Sequence, residues 1–313
     1  MIKRPGDYPP IREDGILTEA QSEFISRSLK KAQRAPIDMR EFKDLYKDVD
    51  KDLEMVQRFK TLFEQQNAES PDSKKERELK KLADAFEVLL ANQIELYYWM
   101  GDEVEIIAAS EFDDIVNKVD VIAEFQTNTG EFSYLGMGID VTFSKKSLEK
   151  KLVQIKDLID NGNMTKVKYF LSEHQRGELR NVPLAIVSAD NESLNGLIAL
   201  SNQRDRLLES RAKSSLPDAD YSRKIKELNK QLLEHPFQFE LLEQMILQLQ
   251  TFAAYANYKD QPQMVQRYNV VLEKLKGIYR AKLKLRGQVL KEGKDIKPPE
   301  NIAQLLRDYF RTQ

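Results

Sequence analysis

The chain has 313 residues, with 49 lysines and arginines against 51 aspartates and glutamates, so neither nucleic-acid nor membrane-surface binding is a bulk property. It holds no cysteine and only two histidines, His174 and His235. That excludes disulfides, thiolate catalysis and cysteine zinc sites, and argues against serine–histidine hydrolysis.

With 41% hydrophobic residues the chain can build a sizeable core, as one large or two to three small domains. No run approaches the ~20 apolar residues of a membrane span, and Met1 to Asp7 lack the apolar stretch of a signal peptide. The expectation is a cytoplasmic protein with no membrane partner.

Pro5, Gly6, Pro9, Pro10 and Gly15 mark an irregular start, after which Thr18 caps an expected helix to Arg34, ending before Pro36. A second helix is expected from Asp38 to Gln66. Its apolar positions Phe42, Leu45, Tyr46, Val49, Leu53, Val56, Phe59 and Phe63 recur at threes and fours. Residues 67–75 read as a linker. The pattern then alternates: helix from Glu76 to Trp99, strand from Glu103 to Ala109, strand from Val119 to Phe125, and strand from Phe132 to Phe143. Thr127 to Gly130 read as the hairpin turn between the last two. A helix from Ser147 to Asp160, strands Val167–Leu171 and Pro183–Ser188, and a helix from Ser193 to Asn202 complete the segment. Further helices are expected near 220–233, 237–257 and 263–290, with no solenoid period. The organisation is therefore an N-terminal helical arm (1–74), an α/β (α+β) core with a mixed central sheet flanked by helices (75–202), and a C-terminal helical region (203–313).

Two carboxylates stand out, Asp140 in Gly138-Ile139-Asp140-Val141-Thr142-Phe143 and Asp120 in Val119-Asp120-Val121-Ile122-Ala123-Glu124-Phe125. Each lies in an otherwise apolar strand, where an ionised group is unfavourable unless paired, protonated or metal-bound. Strands two and three can bring both to one sheet end, where Mg2+ accepts hard oxygen ligands and keeps several waters. The plainer alternative for Asp140 is a backbone hydrogen bond or an ion pair with Lys166 or Lys168.

The order helix, three strands, helix, strand, with acids on the first helix and on strands two and three, resembles the restriction-endonuclease-like PD-(D/E)XK nuclease superfamily over roughly residues 80–200. The resemblance places Glu87 on the first helix, Asp120 on the second strand and Asp140 at the head of the third-strand acid-x-lysine triplet. It implies hydrolysis of phosphodiester bonds in DNA, with RNA open, by water activated on Mg2+ or Mn2+. Asp120, Asp140 and Glu87 are then catalytic and metal-binding. Val119 stands where the family name has proline, and Thr142 where the triplet has lysine. Some members take that cation from the following helix. On a helical wheel Lys151 lies at the edge of the face formed by Leu148, Leu152, Ile155 and Ile159, which makes it the replacement, ahead of Lys145 and Lys146. Gln154 resembles the helix glutamine of exonuclease-like branches.

Asp113 and Asp114, in the loop before strand two, are further candidates, Asp114 entering the metal set. Glu124 shares the strand face of Asp120, while His174 sits in a polar loop. Tyr97, Tyr98 and Trp99 are expected to pack on the sheet. The C-terminal basic run Lys274, Lys276, Arg280, Lys282, Lys284 and Arg286, with Tyr268 and Tyr279, offers either a phosphate track or a solvated face. The long helices there suit a homodimer or a protein partner. The competing function is a catalytically degenerate nuclease-like domain, marked by Thr142, that serves as a nucleic-acid-binding or protein-assembly module.

Overall fold

The computed structural model describes residues 37–69, 73–125, 136–142, 145–213, 219–293 and 300–311, with single positions 22, 25 and 296. The helix expected from Thr18 to Arg34, the Thr127–Gly130 turn, the start of the third strand and Phe143 lie outside these residues, apart from positions 22 and 25.

Among the described residues the protein is mixed α/β. The long elements are α1 (Val49–Glu69), α2 (Ser73–Tyr97), β1 (Val104–Ala108), β2 (Val121–Phe125), β3 (Gly136–Thr142), α3 (Lys145–Asp160), β4 (Thr165–Leu171), β5 (Arg176–Val182) and β6 (Leu184–Ser188). Then follow α4 (Asn191–Lys213), α5 (Ala219–Leu233), α6 (Phe237–Tyr258), α7 (Pro262–Ala281), α8 (Leu283–Lys291) and α9 (Glu300–Tyr309). No described helix is long and apolar enough to cross a membrane.

One four-stranded sheet runs β1-β2-β3-β6, with β4-β5 forming a separate two-stranded ribbon. β1–β2 and β2–β3 pair antiparallel, while β3–β6 is parallel, which the long connection through α3, β4 and β5 allows. Every residue of β2 and β3 is buried, so both faces of the sheet centre are covered. α2 packs against β1 and β3, and α3 and α6 against β6. Packing is tight at Gly138, where an added Cβ would meet Leu184 Cδ1 at 3.0 Å and Val119 Cγ1 at 3.3 Å.

The N-terminal part departs from the expected Asp38–Gln66 helix. Asp38 caps only a 3-10 turn over Met39–Phe42, its Oδ1 accepting from Arg40 N at 3.0 Å, and the α-helix begins at Val49. Arg176 accounts for the break. Its guanidinium takes the Glu41 carbonyl and the Asp44 carboxylate, so Leu45 N bonds to Phe42 O at 3.0 Å instead of continuing an α-helix. A second tie comes from Lys168, which donates to Asp48 Oδ2 at 2.6 Å and Asp52 Oδ2 at 2.5 Å. The rings of Tyr46, Phe112 and Tyr169 surround its ammonium within 5.5 Å. These contacts fasten α1 onto β4. The linker read at 67–75 shrinks, because α1 runs to Glu69 and α2 starts at Ser73.

The β6 edge of the sheet is closed by side chains. Gln248, fully buried on α6, donates to Ile186 O at 2.7 Å and accepts from Ile186 N at 2.9 Å. One turn earlier Gln244 does the same for Ser188, at 2.9 and 3.0 Å. Two glutamines thus replace a neighbouring strand. Gln248→Leu leaves the Ile186 backbone without partners in a dry place, and should lower stability by about 2 kcal/mol. A urea midpoint unchanged from the native protein would show that the amide adds nothing.

Candidate active site

The cleft is built around a cross-strand carboxylate pair. The β2–β3 register matches Val121 with Ile139, so Asp120 and Asp140 are the next residues opposite each other. Asp120 lies just before β2, bonded through its backbone N to Ile139 O at 3.1 Å, and Ala109 N donates to its carbonyl at 3.1 Å. Asp120 Oδ2 also accepts from Val141 N at 2.6 Å. Asp140 is 2% exposed; its Oδ1 takes the Lys151 ammonium, while its Oδ2 is buried with no hydrogen-bond partner. Lys151 also donates to Val141 O at 2.8 Å, which fixes the ammonium beside the strand. An open cleft of 610 Å³ receives these groups together with Glu87, Asp114, Asp84, Lys60, Lys118 and Phe63.

What leads the chain into Asp120 is unusual backbone. Residues Asp113–Asn117 form a π-helical turn and Lys118 follows in the left-handed region, φ 58°. A lysine there is strained, and such turns collect at functional sites. Asp113 holds the turn in place. Its carboxylate accepts from Ser110 Oγ at 2.6 Å, Asn117 Nδ2 at 2.6 Å, Lys168 N at 2.7 Å and Tyr169 N at 3.0 Å. Asp113 is therefore a support, and its neighbour Asp114 faces the cleft.

Electrostatics follow from crowding. Burial pushes the Glu87 carboxyl up to about 9, helped by Asp120, Asp114, Asp84 and Asp140. Asp120 is raised to about 7 by burial and then by Asp140. Burial raises Asp140 too, although Lys151 opposes it. The carboxylates are thus held where their charge is disfavoured, the condition a bound cation relieves.

Among the described residues no group of three or more histidine, aspartate or glutamate side chains is arranged to hold a metal ion. The four-carboxylate set Asp120, Asp140, Glu87 and Asp114 therefore shares a cleft without forming a closed cage. A Mg2+ site needs less, since one or two carboxylates suffice when waters and substrate phosphate complete the octahedron. The donor-free Asp140 Oδ2 beside Asp120 fits that need.

The other singled-out residues lie elsewhere. Glu124 is buried and takes Ser172 Oγ at 3.2 Å, away from the cleft. Lys145, Lys146 and His174 are exposed, and Thr142 is buried in β3. Gln154 lines an adjoining cleft of 800 Å³. Trp99 is fully buried, its indole donating to Leu232 O at 3.0 Å. In the basic run, Lys276 and Arg280 pair with Glu273, Arg286 with Glu243, and Lys282 donates to Gln238 Oε1 at 2.9 Å. Tyr268 is buried, so it offers no stacking face. Lys60, Lys118 and Asp84 escaped sequence reasoning. Only Asp84 carried a signal, lying one turn before Glu87 on the same helix face.

No protein-family model, curated protein or solved structure matches the chain.

Proposed function

We propose that the protein is a metal-dependent phosphodiesterase that cleaves nucleic acid. The observation that carries this reading is the Asp120–Asp140 pair facing across two strands, with the Lys151 ammonium on one of its members and Glu87 in the same cleft. The order of α2, β1, β2, β3, α3 and β6, with a parallel β3–β6 pair, supports a divergent PD-(D/E)XK nuclease.

Asp120 and Asp140 would hold Mg2+ or Mn2+. When bound, the ion supplies polarisation of a phosphodiester oxygen and a lowered pKa for bound water. Lys151 keeps Asp140 aimed into the cleft and places positive charge where a phosphoryl oxygen or attacking water arrives. Glu87 holds its proton because it is buried, with the neighbouring carboxylates adding to the effect. Thr142 argues for the degenerate binding module, but the cation missing from that position is supplied one element later by Lys151.

The test is incubation of the purified chain with single- and double-stranded DNA and RNA, with Mg2+ or Mn2+ and with chelator. Cleavage that requires the ion is the expected result. A folded protein that cleaves none of these substrates would overturn the enzymatic reading in favour of the binding module.

A further inference from the structure

We infer that the substrate is a single-stranded polynucleotide whose unpaired base stacks on Phe59 and Phe63 beside the scissile phosphate, an inference that rests on the phosphodiesterase reading of the same cleft. Both rings stand on α1, one turn apart, with centroids 6.5 Å apart and planes 28° from parallel. They are 38% and 45% exposed, whereas Val49 and Val56 on the same helix are buried. Neither phenylalanine belongs to a hydrophobic cluster among the described residues. An exposed aromatic pair at the mouth of a polar cleft offers a flat apolar face to a ligand.

The cleft says what covers the Phe63 end of the pair. Phe63 lines the same 610 Å³ space as Asp120, Asp140 and Lys151, with Lys60 and Lys118 on its walls. A group that sits on the ring while a neighbouring phosphate reaches Lys151 has a flat apolar face and a flanking anion, which describes a nucleotide. Bases inside a duplex keep their faces against one another, and only an unpaired base can offer one to the protein. The path continues beyond the chemistry. The adjoining 800 Å³ cleft shares Lys118, Asp140 and Lys151 and is lined by Asn117, Gln154, Asn161 and Asn163. Asn117, Asn161 and Asn163 each give one amide N–H to Asp113, Asp157 O and Asn161 O, and an amide NH2 carries a second hydrogen besides its accepting oxygen, which suits the edges of unpaired bases. Both volumes fall in the roughly 300–1,000 Å³ range of clefts that enclose small ligands.

The experiment measures binding apart from cleavage. Fluorescence anisotropy of labelled oligothymidylate, oligoadenylate and a blunt duplex of equal length is followed in Ca2+, which neutralises the carboxylates. The expected result is preference for the single strands, and a roughly 5- to 150-fold loss of that affinity in Phe63→Ala, the span expected for one stacked base. Phe63→Leu should lose nearly as much, whereas Phe63→Trp should bind and have its indole fluorescence quenched by the strand. Trp99, fully buried, serves as a silent background. Circular dichroism confirms that each variant is folded. Equal or tighter duplex binding, or unchanged binding in Phe63→Ala, overturns the inference. Phe63-independent, metal-dependent cleavage of duplex alone also overturns it, while the nuclease reading stands. Phe63-dependent binding of single strands without any cleavage supports the stacking site and removes the nuclease reading instead.

Discussion

Asp140→Asn and Lys151→Met are each expected to reduce metal-dependent cleavage on the order of 10²–10³-fold while leaving the fold intact. Asparagine keeps the size of Asp140 and an oxygen for Lys151, but removes the negative charge a divalent ion needs. Methionine keeps the stem of Lys151, which is only partly exposed, and deletes the ammonium that meets Asp140 and Val141 O. Lys151→Arg should recover part of the rate, since it restores charge with a different shape. Because the two side chains act as one unit, the double variant should be little worse than either single one. Single-turnover cleavage at saturating Mg2+ separates these cases from simple loss of metal. Full activity in Lys151→Met would remove that lysine from the chemistry.

Asp120→Asn should abolish cleavage and, unusually for a variant in a cleft, make the metal-free protein more stable at pH 8. Burial and Asp140 raise the Asp120 carboxyl from 3.8 to about 7, so the folded chain retains a proton that the unfolded chain has lost. The native protein therefore loses stability as pH rises from the unfolded value through about 7, and the whole penalty is present above it. The asparagine variant lacks that slope. Its advantage should be small near pH 4 and on the order of 4 kcal/mol at pH 8. The Val141 N bond survives, because the amide oxygen can accept it. Mg2+ should narrow that gap by stabilising only the native chain, about 2.7 kcal/mol at a hundred times its dissociation constant. Thermal melts at two pH values, with and without Mg2+, check all of this. A variant that melts below the native protein at pH 8 without metal would show that Asp120 carries no strain.

Much of this site is legible before any coordinates, because its chemistry violates local expectation. Asp120 and Asp140 interrupt apolar strands, and the helical wheel around Leu148 and Ile155 places Lys151 at the edge of the buried face. The segments that resist reading are those decided by distant partners. Nothing local marks the stop between Phe42 and Val49, since it depends on Arg176, more than a hundred residues away. β5, with the sequence Arg-Gly-Glu-Leu-Arg-Asn-Val, is mostly polar and pairs with β4 through an irregular register, so its alternation is weak. α9 is short, although its Ile302, Leu305 and Leu306 stand at the i, i+3, i+4 spacing of a helix face, which packs against α3 and α6. Gln244 and Gln248 look like ordinary helix surface until β6 lies beside them.

Those two glutamines also limit how copies of this protein can meet. An uncovered edge strand is a template on which another chain can add its own backbone, the route to fibres and strand-exchanged dimers. At β6 that route is blocked at Ile186 and Ser188, where amides from the same chain occupy both the donor and the acceptor positions. Growth of the sheet by recruitment on this side would first require α6 to lift away from the core. Any assembly that leaves the fold undisturbed must therefore be made elsewhere than along this edge.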